Sequence, residues 1–410
     1  MSQLIDVTPQ PRSDGRVRLV DMTHEPAAVW DALACDPLHG EALQSLAWGD
    51  VKEAVGWVVR RYRIEDESGP VAVVSIQERD LAAPIIQRTP APIRGPVQEV
   101  GGSLGRFLYA PLGPVLLRDD PTAAAAALLG LRIIARQRHA ALLVVDPCWD
   151  VLGVEAAALR SAGFVPARRP VQVSTTGMFV PLHADEEAQW HQLNQNARRN
   201  VDKCRKAGVE VVRFDQRTDP TELSRALDSA YEMLLETGMR RGFGDVLRPA
   251  AYHNPAQQRL IEAGHASLWV ARHDGRELAH TLVHHSGDRA ILFEAGEADA
   301  DDAVVVPEAP AAPRYAANFL LQWTIIRWAA EAGFTTYDLG GVDTHTAIGL
   351  PQDASHPLWN LFRFKTQWGA RPVEFVGAHE LALSRVLGGG LRTAWKVGDR
   401  RRGPAAPTGA

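Results

Sequence analysis

The chain has 410 residues, of which 46% are hydrophobic and 23% are charged, and its formal net charge is −5 at pH 7. This composition is that of an ordinary globular protein, and the length favours two compact units over one. It excludes a scaffold that depends on disulfide bonds, whereas the small negative charge leaves nucleic-acid binding open, because such binding needs only a local basic patch.

Cysteine usage and the start of the chain indicate a reducing compartment. Cys35, Cys148 and Cys204 lack metal-type spacing, and their odd number argues against a disulfide framework, so we expect no metal site. Residues 1–16 are polar and contain no apolar segment of a secretory signal. The most apolar helix candidate, 123–145, is interrupted by three arginines. We therefore expect a cytoplasmic protein without stable membrane insertion.

The first half of the chain predicts an α+β unit. Residues 1–24 are expected to be mostly flexible. Two strands joined by a polar turn are predicted over 56–80, followed by a helix over about 121–138. The strand "ALLVVDP", a further helix and the segment "AGFVPA" come next. We place this first domain at 25–185.

The second half repeats that order of elements. A meander is predicted over 266–296, with turns at Asp274-Gly275 and Ser286-Gly287. A helix over about 316–332 and the strand "TTYDLGG" follow. A duplicated α+β unit fits the length of the chain. The second domain is accordingly placed at 186–385, with a C-terminal tail at 386–410.

One segment of the second domain interrupts the repeat. Residues 296–315 are acidic and then rich in proline and alanine, which indicates a long mobile loop rather than a helix or strand. A lid over a site and a tolerated surface insertion are both compatible with this pattern.

A basic helix is predicted at the junction of the two halves, over 188–207. Apolar residues recur at intervals of three or four, and Gly208 ends the pattern. The opposite side carries cations: Arg198, Arg199, Lys203, Arg205 and Lys206. Such a face is either simply solvated or a surface that follows a phosphate backbone.

The stretch "LFRFKTQWG", 361–369, combines an aromatic stripe with a lysine. Leu361, Phe364 and Trp368 have helical spacing, and Gly369 follows them, which favours a helix over a strand. Lys365 then lies about 100° around the helix from Phe364, at the edge of the buried stripe. There it either extends along apolar surface or reaches into a cleft.

Several stretches together resemble the Fem-type aminoacyltransferases, the FemABX-like peptidoglycan bridge family. The resemblance covers roughly residues 25–385 and implies two tandem domains of the GNAT (acyl-CoA N-acyltransferase-like) fold. It is carried by segments that occur in the order found in the family: "QSLAWGDVKEAVGW" (44–57), "YAPLGPVL" (109–116), "VVDPCWD" (144–150), "LNQNARRNVDKCRKAGVEV" (193–211), "TGMRRGF" (237–243), "GFTTYDLGGVD" (333–343) and "LFRFKTQWG".

Two features depart from the family pattern. No heptad run long enough for the coiled-coil arm of some members is present. The loop at 296–315 is not part of the pattern either. The acceptor therefore stays open between a peptidoglycan precursor and a peptide-like natural product.

The resemblance implies a donor, an acceptor and site residues. Members of the family move an amino acid from an aminoacyl-tRNA to an amine of a peptide-like or UDP-linked muropeptide acceptor. Lys52 and Arg240 match positions that face the diphosphate of such an acceptor. Lys365, after Phe364, matches a Phe-Lys pair near the reaction centre.

Residue chemistry is consistent with these roles. Attack of an amine on an ester needs no cofactor, but it needs the amine close to the carbonyl and a donor for the developing oxyanion. Lys365 suits that task, and it could equally hold a phosphate or carboxylate of a substrate. Tyr337 and Asp338, at a predicted strand end, are either substrate-binding or turn-stabilising residues.

Further positions are candidates for tRNA binding and for accepting the proton of the amine. The basic face of 188–207, with Arg198, Arg199, Lys203 and Lys206, is a candidate tRNA-binding surface. The proton acceptor is open among Asp343, His345, His356 and the neighbouring ribose hydroxyl of the tRNA.

Two other functions compete. An acyl-CoA-dependent N-acyltransferase of the same fold would need a pyrophosphate loop, and the nearest match is "RVLGGG", 385–390, after the last predicted strand. A non-catalytic protein that binds tRNA or a muropeptide is the other alternative, although the Phe364-Lys365 pair favours catalysis.

Overall fold

The computed structural model describes residues 17–81, 105–120, 122–168, 175–298, 316–342, 351, 353–356 and 358–383. These residues form two compact units. No helix among them combines the length and the apolar character needed to cross a bilayer.

Strands and helices are numbered in chain order. The strands are β1 (Arg18–Asp21), β2 (Val58–Asp66), β3 (Gly69–Asp80), β4 (Arg106–Ala110), β5 (Val115–Leu116), β6 (Ala140–Val145), β7 (Val165–Pro166), β8 (Thr176–Pro181), β9 (Glu210–Phe214), β10 (Ala266–His273), β11 (Arg276–Ser286), β12 (Arg289–Glu297), β13 (Thr336–Asp338), β14 (Arg371–Glu374) and β15 (His379–Ala382). The helices are α1 (Ala27–Ala34), α2 (Leu46–Ala54), α3 (Ala123–Gln137), α4 (Val154–Ser161), α5 (Glu186–Gln192), α6 (Gln195–Lys206), α7 (Pro220–Arg241), α8 (Ala250–Glu262), α9 (Ala317–Glu331) and α10 (Trp359–Thr366). Short 3₁₀ helices occur at Ala42–Gln44 and Gly244–Val246.

The first unit is a mixed sheet covered by helices. Its strands lie in the order β1-β2-β3-β4-β6-β15-β7, and β5 pairs with β3. The β2–β3 hairpin confirms the two strands predicted over 56–80. Strands β4 and β6 are parallel, and α3 connects them. Leu128, Leu131 and Ile134 of α3 are fully buried in the core of this sheet, because alanine and leucine at helical spacing give α3 a continuous apolar face.

The second unit repeats this arrangement with the order β14-β8-β13-β12-β11-β10-β9. The meander β10–β11–β12 confirms the predicted hairpins. At the first turn Asp274 and Gly275 both have positive φ, as the tight hairpin turn requires. Strands β12 and β13 are parallel, and α9 comes between them in the sequence. Trp323 and Ile326 of α9 are buried in the core on one face of the sheet.

The two units exchange a strand. β8 follows the first unit in sequence but pairs with β13 and β14 of the second sheet. β15 follows the second unit in sequence but lies between β6 and β7 of the first sheet. Each exchanged strand thus lies antiparallel to the second member of a parallel pair. The units therefore contain described residues 17–168 with 375–383, and 175–374, rather than the ranges 25–185 and 186–385 inferred from the sequence.

The predicted basic helix over 188–207 is two helices, so the expectation of a single continuous helix is wrong. α5 ends at Gln192, and α6 begins after Asn194. The side chain of Asn194 accepts a hydrogen bond from the backbone N–H of Ala197 at 2.8 Å. Asparagine competes for backbone donors in this way, and it therefore starts a new helix here.

Several predicted segments are only partly described. Within 1–24, Arg18–Asp21 forms β1 and pairs with β2. Most of the loop at 296–315, the coenzyme A motif at 385–390 and the tail at 386–410 lie outside the described residues.

Candidate active site

A cavity opens in the second unit where two parallel strands separate. β12 and β13 pair only over Arg289–Ile291 and Thr336–Asp338, after which β12 continues to Glu297 without that partner. A register shift against β11 leaves Phe293 as an extra residue, and such a bulge bends its strand. The cavity has a volume of about 560 Å³, in the range of small-molecule sites.

The wall of this cavity combines apolar and polar side chains. Its lining residues are Thr237, Arg241, Phe243, Leu292, Ala295, Gly296, Glu297, Asn318, Gln322, Leu339, Leu358, Asn360, Leu361, Phe364 and Lys365. Among these described residues, Arg241 and Lys365 supply the cationic groups and Glu297 supplies the one carboxylate. The wall is therefore suited to a polar organic substrate of mixed charge.

Helix α10 positions the predicted Phe-Lys pair at this cavity. Gly369, with a φ of 77°, ends the segment as predicted, because this conformation favours glycine. Trp368 is fully buried, and the ring of Phe364 packs edge-to-face on Trp368 and on Phe319, with ring centroids 5.9 and 5.4 Å apart. This aromatic cluster fixes the orientation of α10, so that the adjacent Lys365 faces inwards.

The ammonium of Lys365 is buried at the cavity wall. The residue is 2% exposed, and its Nζ donates a hydrogen bond to the carbonyl oxygen of Gly341 at 2.7 Å. Burial lowers the pKa of Lys365 to about 7, and the negative charge of Asp338 opposes this effect. Of the two arrangements considered from the sequence, Lys365 therefore adopts the one that reaches into a cleft.

Asp338 is a buried carboxylate at the end of β13. Its Oδ1 accepts a hydrogen bond from the backbone N–H of Gly340 at 2.8 Å. Burial raises the pKa of Asp338, and the positive charges of Arg289 and Lys365 oppose that rise. Asp338 therefore stabilises the turn after β13 and also influences the charge of Lys365.

Tyr337 belongs to the core behind the cavity. It is fully buried, and its hydroxyl donates to Gln322 Oε1 at 2.6 Å. Gln322 in turn donates through Nε2 to Thr281 Oγ1 at 2.9 Å. Burial raises the pKa of Tyr337 well above its usual value. This chain of hydrogen bonds supports the cavity wall through Gln322.

The predicted Arg240 and its neighbour Arg241 have different surroundings. The guanidinium of Arg240 donates to the backbone carbonyl of Glu297 at 2.7 Å, and the residue is exposed. Arg241 lines the cavity, and its guanidinium lies 3.6 Å from the Glu297 carboxylate. The structure thus adds Arg241 to the polar groups at the mouth of the cavity.

Gly296 lets β12 approach helix α7 closely. A Cβ at this position would lie 2.5 Å from Cε1 of His280 and 2.8 Å from the backbone nitrogen of Leu234. Real Cβ atoms essentially never come this close to such groups. The glycine therefore fixes the end of β12, and with it Glu297, against α7.

Lys52 lies in the first unit, near the end of α2. Its ammonium is 4.2 Å from the centroid of the Trp48 ring, which is a cation–π arrangement. Lys52 is half-buried there. Its proposed contact with a diphosphate stays a prediction.

The cations of α6 lie on the outer side of that helix. Arg199, Lys203 and Lys206 are exposed, whereas Arg198 is half-buried beside the ring of His191. Ala197, Val201 and Cys204 form the opposite, buried face. The amphipathic character predicted from the sequence is therefore confirmed for α6.

Of the three side chains that are candidate proton acceptors, His356 is the one that lies among the described residues. His356 Nδ1 accepts the backbone N–H of Leu358 at 3.1 Å, next to the start of α10. Asp343 and His345 lie outside the described residues.

Sequence reasoning missed Arg241, Glu297 and Asn318 as cavity residues. Arg241 directly follows the predicted Arg240, and which of the two side chains lines the cavity depends on how α7 packs. The composition of 296–315 predicts a loop that includes Glu297, whereas Glu297 is the last residue of β12. Asn318 lies in the first turn of α9, and its position beside Glu297 is a tertiary contact without a local signal.

Known proteins resemble this chain over most of its length. Residues 192–346 match the family model described as an acetyltransferase (GNAT) domain. The lipid II:glycine glycyltransferase of Staphylococcus aureus (strain USA300) is 22% identical over 424 aligned residues, which cover 87% of this chain and 91% of that protein. Among solved structures, FemX has a TM-score of 0.68 at 18% identity, and the match covers 90% of this chain and 98% of the FemX chain.

A second solved structure also shares the fold. It is a conserved protein of unknown function from Bacteroides thetaiotaomicron, with a TM-score of 0.50 and 11% identity, covering 87% of this chain and 96% of its own. Together with the duplicated sheets, these matches confirm the predicted tandem GNAT-like architecture. The chain is a homologue of the lipid II:glycine glycyltransferases, and it has the fold of FemX, as its resemblance to the Fem-type family predicts.

Proposed function

We propose that this chain is an aminoacyltransferase that moves an amino acid from an aminoacyl-tRNA to an amine of a peptidoglycan precursor. The observation that carries the proposal is the buried ammonium of Lys365 at the wall of a cavity of about 560 Å³. Homology to the lipid II:glycine glycyltransferases over 87% of the chain supports the class of reaction and of acceptor.

The reaction needs little chemistry from the protein. The neutral amine attacks the ester carbonyl, and the carbonyl oxygen becomes an alkoxide in the tetrahedral intermediate. Lys365 donates a hydrogen bond and a positive charge to this oxygen. When the intermediate collapses, the C–O bond to the ribose breaks, the peptide C–N bond remains, and the ribose oxygen receives the proton that the amine loses.

Burial makes Lys365 suitable for this task. A charge that is held in a low-dielectric site interacts more strongly with a developing anion than a solvated charge does. The aromatic contacts of Phe364 keep the adjacent lysine in position, so little reorganisation is needed during the reaction.

The remaining predicted residues complete the proposal. The resemblance supports a phosphate-binding role for Lys52, as a point charge, and one for Arg240, as a planar fork. Asp338 and Tyr337 act from behind the cavity wall, through Lys365 and Gln322 respectively. A cytoplasmic location follows, because aminoacyl-tRNA is the donor.

The exposed cations of α6 bind the tRNA. Arg199, Lys203 and Lys206 offer adjacent positive charges in the same unit as the cavity, and Arg198 extends this surface.

A transfer assay tests the proposal. The purified protein is incubated with total tRNA that is charged with one radiolabelled amino acid at a time, and with UDP-linked or lipid-linked muropeptide. We expect label in the acceptor for one or a few amino acids, and loss of transfer after RNase treatment of the charged tRNA. Transfer that survives RNase, or transfer from acetyl-CoA instead, would refute the tRNA-dependent reaction. A peptide-like natural product serves as the third acceptor.

A further inference from the structure

Glu297 and Asn318 contact each other in the wall of the cavity. The amide of Asn318 donates through Nδ2 to Oε1 of Glu297, and both residues line the cavity. This contact sets the orientation of the amide, because only its nitrogen can donate to a carboxylate. The buried Oδ1 of Asn318 is then left without a donor among the described residues. A buried acceptor without a partner is costly, and a ligand that donates would satisfy it.

The backbone around Glu297 holds this pair in place. The N–H of Glu297 donates to Thr237 Oγ1 at 2.9 Å, and its carbonyl accepts from Arg240 at 2.7 Å. The close approach at Gly296 fixes the preceding residue. The carboxylate is therefore positioned before any substrate arrives.

The ion pair of Glu297 with Arg241 does not prevent a ligand from using the carboxylate. The two groups are 3.6 Å apart, and their side chains are 54% and 41% exposed for Arg241 and Glu297 respectively. Exposed ion pairs of this kind contribute little free energy. A ligand cation can therefore compete for the carboxylate or share it with Arg241.

A substrate of the proposed reaction carries a suitable cation. An α-amino group has a pKa of about 7.7–8.0, so most of it is an ammonium at pH 7. Within a cavity that already contains Lys365 and Arg241, such a group needs a carboxylate and further acceptors. Among the described lining residues, Glu297 supplies the one carboxylate.

We infer that Glu297 and Asn318 form a binding site for a primary ammonium group of the substrate. This inference rests on the proposed function. The α-ammonium of the aminoacyl donor is one source of the group, and the amine of the acceptor before its deprotonation is the other. The ammonium donates to the Glu297 carboxylate and to Oδ1 of Asn318.

The test compares two stable donor analogues. They are adenosine derivatives that carry either an α-amino acid or the corresponding α-hydroxy acid through a 3′-amide bond. Their Kd values are measured by calorimetry on wild-type protein and on Glu297→Gln. If the site binds the donor, wild-type protein prefers the amino analogue by about 10- to 100-fold, and Glu297→Gln loses most of this preference.

The acceptor is tested in parallel, through its Kd and, where transfer occurs, its KM. If the site binds the acceptor amine, Glu297→Gln weakens acceptor binding by about 10-fold or more and leaves the preference between the analogues unchanged. If both quantities stay within about twofold of wild type, the inference is overturned. Since these are binding measurements, a protein that binds the analogues but transfers nothing would refute the proposed function and not this site.

Two control variants exclude indirect effects. Glu236→Gln removes an exposed carboxylate of the same helix as Thr237, and we expect wild-type Kd values. Arg241→Gln removes the ion-pair partner but keeps the carboxylate, and we expect the preference for the amino analogue to persist. Equal losses in Arg241→Gln and Glu297→Gln would show that the carboxylate only orders Arg241, and would overturn the inference.

Discussion

The ammonium of Lys365 and the carbonyl oxygen of Gly341 are joined by a hydrogen bond of 2.7 Å. A lysine ammonium has three N–H donors, and Gly341 is its acceptor among the described residues. The backbone after β13 therefore anchors the ammonium in a known direction, while other N–H groups stay available to an oxyanion in the cavity.

Lys365→Met should remove most of the activity without unfolding the protein. Loss of one oxyanion donor lowers kcat by about 10²–10³-fold, equivalent to about 2.7–4 kcal/mol. The thermal midpoint should not fall, because the change removes a buried charge of high desolvation cost. Initial rates of transfer and thermal unfolding measure the two effects. Arg276→Met, which removes an exposed cation from a hairpin of the same unit, should keep wild-type rates.

The pH dependence of kcat/KM should report the charge of Lys365. Burial lowers the pKa of Lys365 to about 7. The charged form of Lys365, which we expect to be active, predominates below this pH and is lost as the pH rises above it. Divided by the fraction of acceptor amine that is neutral at each pH, the profile should therefore fall above about pH 7. A rate that still increases through pH 8 after this division would instead identify neutral Lys365 as a base.

Asp338→Asn should move the descending limb to lower pH. The charge of Asp338 raises the pKa of Lys365 against the effect of burial, so its removal lowers that pKa further. The amide oxygen of asparagine can still accept the N–H of Gly340, which preserves the turn. Asp274→Asn, in an exposed hairpin turn, is the matched control and should leave the profile unchanged. An unchanged limb in Asp338→Asn would contradict the assignment of that limb to Lys365.

Neutralising Arg199, Lys203 and Lys206 together should weaken tRNA binding and its salt dependence. Each phosphate contact contributes about 0.7–0.9 to the slope of log K against log salt concentration. We expect the slope to decrease by about 2–3, with KM for the peptide acceptor unchanged. Filter binding at several salt concentrations measures the slope. Replacement of the exposed Arg217, Arg225 and Arg276 is the control with equal charge, and an equal effect there would point to net charge alone.

Tyr337→Phe should reduce stability and leave KM values unchanged. The substitution leaves Oε1 of the buried Gln322 without the donor it now has, at a cost of about 1–3 kcal/mol. Chemical denaturation, followed for the transition of the second unit, measures this loss. Tyr231→Phe is the control, because its hydroxyl donates to the Arg248 carbonyl at an exposed site. A raised KM in Tyr337→Phe, with unchanged stability, would restore a direct role in substrate binding.

Local signals predicted much of the fold. The Asp274-Gly275 pair predicted the hairpin of β10 and β11, and both residues adopt positive φ in its turn. The spacing of alanine and leucine predicted α3. The position of Lys365 at a cleft was also one of the two arrangements predicted from the stripe of Leu361, Phe364 and Trp368. These features depend on residues that are close in sequence.

Features that depend on distant residues were not predicted. The spacing of apolar residues runs through Leu193, so it hid the new helix that Asn194 starts. Glu297 and Asn318 meet only because the end of β12 lies beside the first turn of α9. Chemical type alone distinguished neither of them from an ordinary surface residue.

The exchange of β8 and β15 has a consequence for folding on the ribosome. The first sheet contains β15 between β6 and β7, so its last strand is synthesised roughly 200 residues after β7. At about 5–20 residues per second, the nascent first sheet waits roughly 10–40 s for that strand. During this interval the unpaired edge of β6 can pair with other chains. A chaperone, or the rest of the same polypeptide, would have to cover it until β15 is synthesised.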